Sequence, residues 1–111
     1  LTQQLTTKAI LERALAIIED PERWTQGAYA RHANGNPIGP LEENACRWCA
    51  LGALEKAGDD PVSLDALYAL NNVSGQMGGL TPHDLNDQRS HADVVEMFKR
   101  AIAACEQERG A

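Results

Sequence analysis

"ENACRWCALGALEKA", residues 43–57, holds two of the chain's three cysteines and a run of small and apolar residues. Its reading decides the fold. Acidic Glu43 at the front, Lys56 near the back and Gly58 just beyond fit the charge and capping preferences of an α-helix. The spacing predicts a helix over residues 43–57, with both thiols inside it. On this reading Cys46 and Cys49 behave as small apolar side chains of a core helix. Gly52 costs such a helix about 1 kcal/mol relative to Ala, which implies that another backbone comes close at that point.

Upstream, "TTKAILERALAIIED" (residues 6–20) places Ile10, Leu11, Ala14, Ile17 and Ile18 on one face at helical spacing. Thr6 or Thr7 can cap it and Asp20-Pro21 ends it, giving a helix over about residues 7–19. Between the two helices, "WTQGAYARHANGNPIGP" (residues 24–40) has no helical period and is rich in Gly and Pro. Two short extended pieces around an Asn34-Gly35 turn fit it, with Pro37 confining the second to a sheet edge or a loop.

Downstream, Asp59, Asp60 and Pro61 read as a turn. Ser63 then caps a helix whose apolar contacts are Leu64, Leu67, Leu70 and Val73, with Val62 stapled onto Leu67. "SGQMGGLTPHDLNDQRS" (residues 74–90) reads as a long polar loop. Ser90 with Asp93 opens the last helix, whose stripe is Val94, Phe98, Ala101 and Cys105, flanked by Val95 and Ile102. The tail from Glu106 frays. With no repeat or low-complexity linker, the expectation is a mainly α, compact single domain over residues 1–111, with its ordered core over about 7–104. It has four helices and a small β-hairpin or extended loop between helices 1 and 2.

The chain has 111 residues, enough to bury roughly 60 to 70 per cent of its unfolded surface without staples. Two Trp, two Tyr and one Phe leave the core to Leu, Ile, Val and Ala. A net charge of −6 with only ten Lys and Arg, scattered along the chain, argues against direct binding to nucleic acid or to an anionic membrane. No apolar run approaches the ~20 residues of a membrane span, and the first residues lack the pattern of a signal peptide. An odd number of cysteines in a chain that needs no bridges argues for thiols in a reducing compartment, hence the cytoplasm.

Three chemistries compete with plain packing for Cys46 and Cys49. Zinc would need a turn at C-x-x-C and a second pair of ligands, although Cys105, His32, His83 and His91 supply candidates in number. A redox pair would follow a strand of a βαβ unit, which the sequence does not offer. A nucleophile is the more specific idea. Gln26, Cys49, His83 and Asn86 follow the chain order of an oxyanion Gln, a thiol, an imidazole base and an orienting amide in papain-like enzymes. Against it, Cys49 falls in the expected body of the helix, and Gln26 and Asn86 suit the bonding of loop backbone.

Trp24 and Trp48 suit core anchors better than ligand platforms in a chain with so few aromatics. Asn86 and Asp87 read as anchors of the 74–90 loop, with binding as the sharper alternative. His91 reads as a solvated residue of a first helical turn and His32 as a turn residue. No metal site and no cofactor is expected.

Three segments together resemble a small uncharacterised family, a domain of unknown function found in actinobacterial and phage genomes. They are "RWTQGAYARHANGNPIGP", "ACRWCALGAL" and "LNDQRSHADVVEMFKRAI", and the resemblance covers about residues 8–104. Trp24, Gln26, Gly27 and Ala28 fall on its W-x-Q-G-A motif, and Trp48, Cys49, Gly52 and Ala53 on its W-C-A-x-G-A motif. Asn86, Asp87 and Arg89 fall on its W-N-D loop. Leu85 stands where the family usually has Trp, and Ser90 where it usually has Thr. The resemblance implies no reaction, and it marks Cys46 as incidental.

The binding candidates are therefore Trp24, Gln26, Trp48, Asn86, Asp87 and Arg89. The expected function is a small accessory or protein-interaction domain without catalysis, phage-associated, with an unidentified protein partner. Two other readings stand beside it. One is a cysteine-dependent hydrolase or transferase using Cys49 with His83 and Gln26; the other is an acidic inhibitor that imitates nucleic acid.

Overall fold

The computed structural model describes residues 6–58 and 63–110. Helix α1 (Thr7–Ile18) begins at Thr6, whose hydroxyl accepts from the Ala9 N–H at 3.0 Å. Its buried face is Ile10, Leu11, Ala14 and Ile18. Asp20 closes it and caps a single 3₁₀ turn, Pro21–Arg23, by accepting from the Glu22 N–H.

Strands β1 (Ala30–His32) and β2 (Pro37–Ile38) then form the expected hairpin, with Gly35 at φ +93° supplying the turn. The sheet holds a third strand, β3 (Ala45–Trp48), and its order is β2-β1-β3, all antiparallel. Pro37 sits on the outer strand, where a missing N–H breaks no ladder.

Strand β3 corrects the helix expected over 43–57. Ala30 pairs with Trp48, Arg31 with Arg47 and His32 with Ala45, so Cys46 is the extra residue of a bulge. The helix begins only after Cys49, as α2 (Ala50–Gly58). Trp48 is buried and its indole N–H donates to the Pro40 carbonyl at 2.9 Å. Burial of that ring against the sheet outweighs the propensity of its neighbours for helix.

Helix α3 (Leu64–Gln76) is capped by Ser63 as expected, and buries Ala66, Leu70, Val73 and Ser74. Leu64 was expected among the apolar contacts, but it is 61 % exposed. The turn at Asp59 to Pro61 and the staple from Val62 lie outside the described residues.

The stretch read as a loop contains a second correction, helix α4 (Pro82–Gln88). Thr81 caps it by accepting from the Asp84 N–H at 3.1 Å, and Pro82 takes the first turn, where no N–H is needed. Helix α5 (His91–Gly110) follows, with Ser90 Oγ accepting from the Asp93 N–H. Among the described residues the domain thus has five α-helices and a three-stranded sheet, against the expected four helices and a hairpin.

Helix α1 packs against both α2 and α5, and α3 closes on α5. Phe98, Leu11, Ile18, Leu54, Leu70, Leu85, Met97 and Val94 fill the centre. Among the described residues of the helices, buried Ala14, Ala50, Ala53, Ala57, Ala66 and Ala101 keep the interhelical spacing small. Among the described residues no helix is long and apolar enough to cross a membrane.

Candidate functional site

Two regions stand out, a polar junction built from the residues singled out in the sequence, and an apolar groove built from others.

The junction joins the strap Trp24–Gly27, the end of α4 and the head of α2. Asn86 is its centre. Its Oδ1 accepts from the Trp24 indole N–H at 2.7 Å and from the Ala50 N–H at 2.9 Å. Its Nδ2 donates to the Thr25 carbonyl at 3.1 Å and to Asp87 Oδ1 at 3.2 Å. Both donors and the acceptor oxygen of the amide are therefore used, at a residue 1 % exposed. The Ala50 N–H is one of the orphan donors at the start of α2, so Asn86 caps that helix from a distance.

Gln26 serves the C-terminal end of α4 from the strap. Its Nε2 lies 3.0 Å from the Asn86 carbonyl, 3.3 Å from that of Asp87 and 3.1 Å from that of Arg89. Two N–H bonds shared among three acceptors satisfy carbonyls that the helix leaves open. Asp87 completes the tie. Its Oδ1 accepts from the Gly27 N–H at 3.0 Å, and its Oδ2 lies 3.4 Å from His83 Nε2.

Cys49 stands at the head of α2, not in its body as expected. Its carbonyl accepts the first helical bond, from Ala53, and its Sγ accepts from the Gly52 N–H at 3.3 Å, so the thiol acts as the helix cap. It is 3 % exposed. Burial pushes its pKa up, with help from the charge of Asp87, and outweighs the N–H groups of Gly52 and Leu51 that pull it down.

Gly52 is where the close approach foreseen from the sequence occurs. A Cβ there would fall 1.9 Å from the Tyr29 carbonyl oxygen, which also accepts from the Cys49 N–H at 3.1 Å. The head of α2 is thereby fixed to the sheet.

The structure gathers Gln26, Asn86, Trp24 and Asp87 into one network, with Cys49 beneath it. His83 reaches only the Asp87 carboxylate and makes no hydrogen bond to Cys49. A thiolate nucleophile needs a lowered pKa and access, whereas the Cys49 thiol is buried and its pKa is raised. Cys46 lies apart from Cys49, exposed, with its thiol on the Asn44 carbonyl at 3.5 Å. Among the described residues no group of three His, Cys, Asp or Glu side chains is placed to hold a metal ion.

One clamp, Arg31, carried no signal in the sequence. Arg31 donates from Nε to Thr25 Oγ1 at 2.9 Å, from Nη1 to the Gly35 carbonyl at 2.9 Å and from Nη2 to the Gln26 carbonyl at 3.0 Å. It binds the strap to the hairpin. Arg89 reaches the Met77 carbonyl at 3.0 Å and faces Asp93 at 3.7 Å. His91, expected in solvent, is half-buried: its Nε2 lies 2.7 Å from the Ile18 carbonyl and its ring tilts against Trp24 at 5.4 Å.

The second region is a groove of about 450 Å³ lined by Tyr29, Pro40, Leu51, Glu55, Leu64 and Leu67. It runs between the start of β1, the segment after β2, and the outer faces of α2 and α3. Tyr29 is 56 % exposed and Leu64 61 %, and Leu41 stands exposed beside Pro40. Large apolar side chains held open together mark a surface with something to cover it. Glu55 is the one charged residue among the described residues of the lining.

The chain belongs to the family of unknown function DUF6197, which it matches over residues 2–104. No curated protein and no solved structure matches it.

Proposed function

We propose that this member of the family is a phage-associated accessory domain that binds another protein through the groove at Tyr29 and Leu64 and catalyses no reaction. The observation that carries the reading is the exposure of Tyr29 and Leu64 on the lining of one mostly apolar groove, with Leu41 exposed beside it. Tyr and Leu in a concave, mostly apolar surface are what a partner's anchor residues fit. The junction supports the same reading from the other side. Its polar atoms are spent on one another, so Trp24, Gln26, Asn86 and Asp87 act as fasteners of the fold.

The carboxylates give no support to imitation of nucleic acid. Glu96 is paired with Arg100, Glu106 with Lys8 and Asp93 with Arg89, so cations are set among the anions. A mimic needs a row of free anions.

A photo-cross-linking amino acid placed at Leu64, and separately at exposed Ala33 on the hairpin tip, tests the proposal in host cells. The reading expects a discrete adduct from position 64 and none from position 33. Equal adducts from both, or none from 64, would remove it.

A further inference from the structure

We infer that the groove takes an amphipathic segment of a partner protein that brings an Arg or Lys side chain to Glu55. This rests on the reading of the groove as an interface, and it names what the partner must carry. Glu55 lies half-buried on α2 among Tyr29, Pro40, Leu51, Leu64 and Leu67. Unlike Asp87, Asp93, Glu96 and Glu106, it has no hydrogen-bond or ion-pair partner among the described residues.

The neighbouring cation does not serve it. Lys56 lines a different cleft, with Arg13, Ala16, Ile17 and Ala57. A carboxylate partly withdrawn from water in an apolar setting is a poor neighbour for a purely apolar ligand, because covering it would strip its remaining hydration. A ligand that supplies a cation converts that cost into a charge-assisted hydrogen bond. Arg fits best: its flat guanidinium can lie on the exposed Tyr29 ring while its fork meets the carboxylate.

Charge also selects against a second copy of the chain as the occupant. Each chain carries a net −6, and two like-charged surfaces meeting at this groove would repel without neutralising Glu55. The occupant is therefore a different protein, apolar on one side and basic beside it.

The probe is a random-peptide library displayed on filamentous phage and selected on the intact chain. Enriched peptides are then synthesised and titrated by calorimetry against the chain and its Glu55→Gln and Leu64→Ser variants. Both positions are on the surface, and unchanged melting curves would establish that the variants fold. The expected result is enrichment of Arg or Lys next to apolar residues, with binding weakened about five-fold or more by Glu55→Gln and lost in Leu64→Ser. Peptides that lose binding to Leu64→Ser but ignore Glu55→Gln, or that carry no cation, would overturn the inference and leave the groove as an interface. Failure to enrich any peptide, binding indifferent to Leu64→Ser, or a dimer by sedimentation that Leu64→Ser dissolves, would overturn both.

Discussion

The junction around Asn86 and the groove beside Tyr29 reverse the usual placement of polar and apolar groups. At the junction, amides, an indole N–H and a carboxylate are drawn together, and Asn86 at the centre is sealed. At the groove, Tyr29, just beyond the strap, and Leu64, at the start of α3, stand exposed. The first arrangement is tolerable only because each buried polar atom has a partner. The second has no such internal justification, since no described residue covers those side chains. The contrast separates polar groups spent inside the fold from apolar side chains left exposed on its surface.

If the junction is structural, breaking it should unfold the chain, while changes at the groove should leave stability alone. The largest effect is expected from Asn86→Leu. It strands the Trp24 indole, the Ala50 N–H and the Thr25 carbonyl together, at about 1 to 3 kcal/mol for each group kept from water, so a loss of about 4 kcal/mol is expected. Denaturant unfolding followed by circular dichroism measures it, and a loss under about 1 kcal/mol would show that the network is dispensable.

Gly52→Ala should cost about 3 kcal/mol, even though Ala favours helix, because the obstacle is the Tyr29 backbone and not a movable side chain. The same unfolding assay applies. A stabilised variant would mean that the sheet and α2 are not held as described.

Cys49→Ala removes the cap of α2 and should cost about 1 kcal/mol, while Cys49→Ser, whose hydroxyl can accept from Gly52, should recover most of it. Equal loss in both would point to packing of the sulfur rather than capping. The raised pKa of Cys49 has a pH consequence of definite sign. Below the ordinary thiol range the folded and unfolded chains both carry the proton, and its stabilising contribution is fully present. As pH rises through that range the unfolded chain releases its proton first, and stability falls until the folded thiol ionises too. The decline should vanish in Cys49→Ser, as measured by melting between neutral and alkaline pH.

The smallest effects belong to the groove. Leu64→Ser and Glu55→Gln should each change stability by no more than about 0.5 kcal/mol. A larger loss from Leu64→Ser would make the groove part of the core and erase the contrast.

The sequence made the long elements plain. Helices α1, α3 and α5 follow from apolar spacing and from the caps at Thr6, Ser63 and Ser90, and the hairpin follows from Asn34-Gly35. Strand β3 was hidden because it has four residues, one of them bulged out at Cys46, directly before a true helix. Local pattern assigned the whole run to that helix, whereas pairing with β1, a contact distant in sequence, decides it. Helix α4 did carry a signal, Thr81-Pro82 followed by Asp84, but one turn of apolar spacing around Leu85 gave it no period.

At the junction, Gln26 and Asn86 were legible as binders of loop backbone because amides are suited to that work. Which backbone they bind was not, since their partners lie 36 to 63 residues away or depend on α4 having formed. The groove was not legible at all. Leu64 looks like a core position by spacing, and Tyr29 like a hairpin residue; only the packing of α2 and α3 against the strap leaves them uncovered.

The most direct test of the central claim, that the motif residues form a sealed fastening and not a reactive site, is alkylation of the native protein with iodoacetamide at neutral pH, followed by mass spectrometry of each cysteine peptide. The account predicts prompt labelling of exposed Cys46 and protection of Cys49 until the chain is unfolded. Labelling of Cys49 in the folded chain as fast as Cys46, or faster, would contradict it and return the cysteine-dependent reading with His83 and Gln26.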